Sequence, residues 1–206
     1  MRFVLFIALA MIAAWPASAA DLAVKVTTPA GKPVRDAVVT VHTDAPMSGA
    51  FRGEPLRIVQ QNLQFDPFVL IVPVGAEVSF PNRDQVRHHV YSFSPANRFQ
   101  LRLYGKDETR TVRFPVVGTV AIGCNIHDAM VAFVKVVDTP FAAKTGAGGD
   151  AGLKGLPAGA ATLRVWHPYA KGPGAQVERR IALSRDDAVQ TVVLDLRNPP
   201  ERRKAY

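Results

Sequence analysis

The sequence predicts an all-β protein, and three observations carry that expectation. Segments of four to eight residues rich in Val, Ile, Phe and Thr recur along the 206 residues. Clusters of Gly, Pro, Asn and Asp separate them, the pattern of short strands joined by turns. A long helical period occurs only in the apolar N-terminal stretch. Many short strands at such spacing imply one or two β-sandwiches.

The chain opens on a targeting segment, 1–19. Arg2 supplies its positive end, 3–14 its apolar run and Ala17-Ser18-Ala19 its small-residue cleavage site. The apolar run is too short to span a bilayer as a mature helix, and it contains no cysteine for a lipid anchor. The expectation is a periplasmic protein with no membrane span in the mature chain. Strands are then expected at 22–26, 37–42, 69–73, 77–80, 89–93, 109–114, 119–122, 130–137, 161–166, 177–183 and 190–196. Gly31-Lys32-Pro33, Asn82-Arg83-Asp84, Gly105-Lys106-Asp107, Gly118 and Leu156-Pro157-Ala158-Gly159 read as turns. The glycine-rich run 145–152 has the composition of a flexible turn or linker. Residues 198–206, with Pro199-Pro200 and several basic residues, read as a frayed tail.

Two blocks differ in content. Residues 54–138 hold the cysteine, a histidine pair and most aromatics, whereas 21–53 and 139–197 are richer in Ala, Gly, Val and Thr. With 48% hydrophobic residues the chain can fill real cores. The formal net charge of +8 suits acidic partners or anionic surfaces, and equally a solvated basic face. Nucleic acid is not an expected partner, because no helix carries the basic residues and export separates the protein from it.

The chemistry concentrates at the single cysteine, in Cys124-Asn125-Ile126-His127-Asp128-Ala129-Met130. One cysteine cannot form an internal disulfide in an oxidising compartment, and a free exposed thiol there is open to oxidation. Holding it as a metal thiolate removes that liability. A thiolate, an imidazole and a thioether in a Cys-x2-His-x2-Met run are soft-to-borderline ligands, and trigonal His2Cys with a weak axial Met is the blue-copper arrangement. The second imidazole must come from elsewhere. His88-His89 stand 36 and 35 residues upstream, and strand alternation directs only one of them to the loop. The metal set is therefore His88, Cys124, His127 and Met130, with His89 the alternative to His88. Binding requires a deprotonated thiol and neutral imidazoles, so affinity should fall in acid.

Other readings stand beside this one. The cysteine could be a small buried thiol next to a turn histidine. An oxidase or reductase would need a second metal site, for which only His42 and His167 remain, so no enzyme is expected. A copper carrier would bring further Met or His clusters, whereas past the targeting segment the methionines are Met47 and Met130. His42 reads as a strand end, and Trp166-His167-Pro168-Tyr169 as an aromatic strand end in a small core. Tyr91, Phe93, Phe99 and Phe133 read as core or rim aromatics.

Residues Phe65-Asp66-Pro67, Val72-Pro73-Val74-Gly75-Ala76-Glu77-Val78-Ser79-Phe80 and Asn82-Arg83-Asp84, followed by His88 and by 118–136, resemble the cupredoxins of the amicyanin and plastocyanin type. The resemblance covers 54–138. It implies a Greek-key β-sandwich, one type 1 copper ion, single-electron transfer, and a redox partner such as a cytochrome or dehydrogenase. The flanks 21–53 and 139–197, through Gly31 to Val41 and Gly155-Leu156-Pro157-Ala158-Gly159, resemble the two pieces of a small Ig-like or prealbumin-like, carboxypeptidase-regulatory sandwich. The whole layout resembles exported bacterial proteins labelled "methylamine utilization" or plastocyanin-like, a label that does not specify a substrate. A regulatory-like flank also fits a structural envelope protein with a vestigial copper site. This chain departs from the amicyanin pattern at Ile126 and Asp128, where prolines are usual, at Ile122-Gly123, where an aromatic often precedes the cysteine, and at His89, where Asn is usual.

Overall fold

The computed structural model describes residues 19–44 and 51–198. The expected targeting segment up to residue 18, Met47, and the expected tail beyond Asn198 lie outside the described residues. The strands are β1 (Ala19–Thr27), β2 (Val38–Thr43), β3 (Val59–Gln61), β4 (Gln64–Asp66), β5 (Val69–Pro73), β6 (Glu77–Pro81), β7 (His88–Ser94) and β8 (Asn97–Tyr104). They continue as β9 (Thr109–Arg113), β10 (Gly118–Cys124), β11 (Val131–Val137), β12 (Ala142–Lys144), β13 (Asp150–Pro157), β14 (Gly159–Trp166), β15 (Gln176–Leu183) and β16 (Ala188–Val193). Among the described residues no helix is long and apolar enough to cross a membrane. The chain is all-β, as its pattern predicts.

The flanking segments supply two sheets, β13-β1-β16 and β12-β2-β14-β15. Alternate side chains along each strand point to one face. Here Leu22, Val24 and Val26 of β1, Val39 and Val41 of β2, and Ala161, Leu163 and Val165 of β14 meet in one apolar cluster. Burying each Leu or Val is worth about 1.5–3 kcal/mol. The central segment supplies a five-stranded sheet, β5-β11-β10-β7-β8, with β5 parallel to β11 and the other pairs antiparallel. Opposite it lie the β6–β9 pair and the β3–β4 hairpin, and parallel bridges Arg57–Ser79 and Gln60–Asn82 run the segment 57–60 alongside 79–82. Val78, Phe80 and Phe114 pack there with Leu70, Val72, Val90, Val120, Ile122 and Val134.

A third cluster joins these two. Strand β5 is buried on both faces, as its unbroken apolar run requires: Leu70 and Val72 enter the central cluster, Val69 and Ile71 the seam. Val38, Val137, Ala142 and Trp166 complete the seam. The aromatic run 166–169 therefore does more than close a small core. Trp166 and Tyr169 stand edge-on to Phe133, at ring-centre distances of 6.3 and 6.2 Å.

The run 145–152 is not a flexible linker. Thr145 is buried, accepts from the Ala37 amide at 2.9 Å and donates to the Val34 carbonyl at 2.7 Å. A tight turn follows, and β13 begins at Asp150. Gly149 has φ 79°, and a Cβ there would lie 2.4 Å from the Val26 carbonyl oxygen, so only glycine lets this turn press against β1. Strands β3, β4, β8, β12 and β13 add to the expected set, and the last expected strand ends at Val193 rather than 196.

Candidate metal centre

Two neighbouring strands and one loop build the site. In β10 the inward row is Val120, Ile122, Cys124, all buried. In β7 it is His88, Val90, Ser92, with His89, Tyr91 and Phe93 on the alternate row. Antiparallel pairing sets Cys124 opposite Val90, which brings the β7 start beside the β10 end. A bulge at the β7–β8 pairing, where His88 faces Tyr104 but Val90 faces Leu101, falls at the histidine. Such bulges re-aim side chains locally.

The loop 125–130 is folded back by its own backbone. The Met130 amide donates to the His127 carbonyl at 3.0 Å, the Cys124 amide to the Met130 carbonyl at 3.3 Å, and the Asn125 amide to the His89 carbonyl at 3.0 Å. His127 is thereby turned towards Cys124. The Cys124 Sγ lies 3.6 Å from His88 Nδ1 and 3.7 Å from His127 Nδ1, and the two Nδ1 atoms are 3.2 Å apart. A triangle with these sides has its equidistant centre about 2.0 Å from each corner, the length of a metal–imidazole bond and about 0.3 Å short of a metal–thiolate one. One sulfur and two imidazole nitrogens facing one point fit a borderline-soft metal ion. They form the His/Cys/Asp/Glu group able to hold a metal among the described residues.

Of the residues singled out from sequence, His88, Cys124 and His127 come together. Met130 is buried in the same apolar cluster as Cys124 and Ile122. His89 lies on the alternate row, outside the group. His88 and Cys124 are buried and His127 is partly exposed. Asp128 is exposed.

Asp84 supports His88 and was read from sequence only as part of a turn. Its Oδ2 lies 2.8 Å from His88 Nε2, so with the carboxylate ionised that nitrogen donates and Nδ1 is left with its lone pair facing the cysteine. The Asp84 carboxylate also accepts from the Asn62 and Leu63 amides at 2.6 and 3.1 Å. Those two residues turn the β3–β4 hairpin with φ of 56° and 55°. Buried Asn82 receives the Asp84 amide at 2.8 Å and donates to the Val86 and Tyr104 carbonyls. The Asp-x3-His spacing was the available signal. Burial holds the His88 imidazole below the ordinary histidine value, against the pull of Asp84 in the other direction, with His127 adding to the lowering. The neutral form that metal binding needs is thus favoured.

His42 is more than a strand end: its Nε2 lies 2.8 Å from Asp138 Oδ1, linking β2 to the end of β11. That bond holds the Asp138 carboxyl below its usual range.

No protein-family model matches the chain, and no curated protein matches it. Among solved structures the chain is similar to a copper-containing nitrite reductase from Thermus scotoductus SA-01, at 24% identity and TM-score 0.38, over 47% of this chain and 25% of that one. The chain thus spans a quarter of that reductase's length. It is also similar to a purple cupredoxin from Nitrosopumilus maritimus, at 22% identity and TM-score 0.36, over 39% of this chain and 98% of that one. A reduced point variant of amicyanin is similar at 21% identity and TM-score 0.37, over 48% of this chain and 98% of that one.

Proposed function

We propose that this chain is an exported type 1 copper protein that carries single electrons between redox partners, with residues 54–138 as a cupredoxin module and 21–53 with 139–197 as the sandwich that holds it. The observation that carries this reading is the triangle of Cys124 Sγ, His88 Nδ1 and His127 Nδ1. Bound copper would supply the Cu(II)/Cu(I) couple. Cys124, His88, His127 and Met130 are the residues that would hold it.

The protein's own part is to keep these donors in place and water away. Cys124 is fixed by β10, whose two neighbours β7 and β11 pair on either side. His88 is held at its far nitrogen by Asp84, a carboxylate–histidine support of the kind that sets tautomer and ring orientation in metal sites. With the donors already converged, these side chains would need little rearrangement to hold the ion. Burial of Cys124 and His88 shields two of the donors from solvent, which supports a carrier over a catalyst. The partly exposed His127, beside exposed Ile126, is the edge at which a weak redox encounter would form. An acidic cytochrome or dehydrogenase suits the chain's +8 charge. The targeting pattern in 1–19 supports the periplasm.

Voltammetry of the copper-loaded protein tests this reading. The expected result is one reversible one-electron wave, with copper retained during challenge by a chelator. Rapid loss of copper to the chelator would favour a metal carrier instead, and failure to take up copper would leave a structural envelope protein.

A further inference from the structure

The strand carrying Cys124 has glycine immediately before it, and a side chain from the next strand occupies the space. Gly123 pairs with Tyr91 across the β10–β7 ladder. A Cβ built on Gly123 would lie 3.1 Å from the Tyr91 hydroxyl oxygen and Cζ and 3.2 Å from Cε1. The hydroxyl end of the tyrosine ring thus fills the space beside the backbone that leads into the cysteine. Tyr91 in turn packs on Phe93, with ring centres 5.0 Å apart. Phe93 is 64% exposed, so the pair carries an aromatic path from the strand to solvent.

That face is also electrically one-sided. The five strands β5, β7, β8, β10 and β11 contain no Asp or Glu, but carry Arg98, Arg102 and Lys135. Arg98 faces Phe93 and Gln100 faces Tyr91 in the β7–β8 pairing. Arg98 and Arg102 are exposed and make no ion pair with a described residue. The β5–β11 side of the same face is covered by the seam with the flanking sandwich, while among the described residues no strand pairs or packs over the β7–β8 side.

Resting on the copper reading, we propose that Tyr91 and Phe93 form a second electron outlet, from the Cys124 backbone through Gly123 to the sheet face, serving an anionic one-electron redox protein that docks on Arg98 and Arg102. One electron leaves the reduced centre, which becomes Cu(II), and the partner is reduced by one electron. No bond is made and no proton moves. This outlet is separate from the His127 edge, so the protein can meet a donor at one surface and an acceptor at the other.

The test attaches a ruthenium polypyridine label to the copper-loaded protein at Arg98→His, beside Phe93, and measures flash-induced electron transfer from the label to the copper. Tyr91→Leu and Phe93→Leu should each slow that transfer by about an order of magnitude, while Tyr91→Phe stays close to the parent and the visible spectrum and potential are unchanged. Phe93 is exposed, so its variant separates the route from any folding defect. In the unlabelled protein, Arg98→Glu with Arg102→Glu should slow oxidation by hexacyanoferrate(III) at low salt more than the same reversal at Arg179 and Arg185 on the flanking sandwich. Normal spectra with unaltered rates, or equal slowing by the two charge reversals, would overturn the outlet alone. Absence of the copper band would overturn the underlying reading and the outlet with it.

Discussion

The two apolar clusters hold different kinds of buried polarity. In the flanking sandwich the buried polar groups are mostly threonines that tie distant segments together through backbone carbonyls, such as Thr139 donating to the Val41 carbonyl and Thr145 to Val34. In the central sandwich they are Gln60, Asn82, His88 and Ser92, and most belong to connected networks. Gln60 meets Tyr104 and the Phe80 and Pro81 carbonyls, while Asn82 anchors Asp84, which anchors His88. Buried polar groups are costly unless each finds a partner. In the flank such partners stabilise a scaffold, and in the centre they also aim a donor. One sandwich can lose a threonine contact and remain a sandwich, whereas the other would lose its site.

Substitutions can break or sharpen that contrast. The largest effect belongs to the donors: His88→Ala or His127→Ala should abolish stoichiometric copper uptake measured by metal analysis, while His89→Ala should leave it intact. Comparable uptake in all three variants would remove the distinction drawn between the rows of β7.

Next comes core truncation. Leu163→Ala in the flanking cluster should cost about 2–5 kcal/mol in denaturant unfolding, with copper-bound spectra of the folded fraction unchanged. Ile122→Ala, one residue pair from Cys124, should cost a similar amount and also alter the spectrum. A spectral change of equal size from Leu163→Ala would show that the two sandwiches are not separable.

His167 gives a pH signature specific to the flank. It is buried, its Nδ1 accepts from the Tyr169 amide, and burial pushes its pKa down to about 4. The unfolded chain, with a value near 6.5, binds the proton first, so stability is full above pH 6.5 and falls as pH drops towards 4. The loss is about 3 kcal/mol at the acid end. His167→Asn, which keeps an acceptor but cannot titrate in this range, should flatten that part of the stability profile.

Smaller again is the support of His88. Asp84→Ala should weaken copper affinity about 10–100-fold, read by competition with a chelator, with little change in affinity from Asp138→Ala, whose histidine lies outside the site. The exposed Lys25–Asp150 pair in the flank marks the lower bound: Lys25→Ala should change stability by at most about 1 kcal/mol.

The strands that could be read from sequence were those with apolar, β-branched runs, such as 69–73 and 131–137. Strand β8 alternates Arg and Gln with Phe and Leu, and its arginines concealed it. Strands β3 and β4 have three residues each, too short for any period to register. The run 145–152 stayed open between turn and linker because glycine serves a slack linker and a left-handed tight turn alike, and only contact with Val26 distinguishes them. At the site, Cys124, His127 and Met130 were legible because their spacing is local. The choice between His88 and His89 depended on β7 register, which alternation brought within reach. Asp84 was not legible as His88's partner, because its carboxylate is fixed by amides of a hairpin 21 and 22 residues away. Tyr91 over Gly123 likewise depends on a cross-strand pairing that no single segment reveals.

The central claim is that Cys124 binds copper as a thiolate together with His88 and His127. The most direct measurement is the visible absorption spectrum of the purified protein after addition of one equivalent of Cu(II), beside Cys124→Ser treated identically. The account predicts an intense thiolate-to-copper band in the parent, bleached by a one-electron reductant, and no such band in the variant. A parent that stays colourless, or a variant that keeps the band, would contradict it.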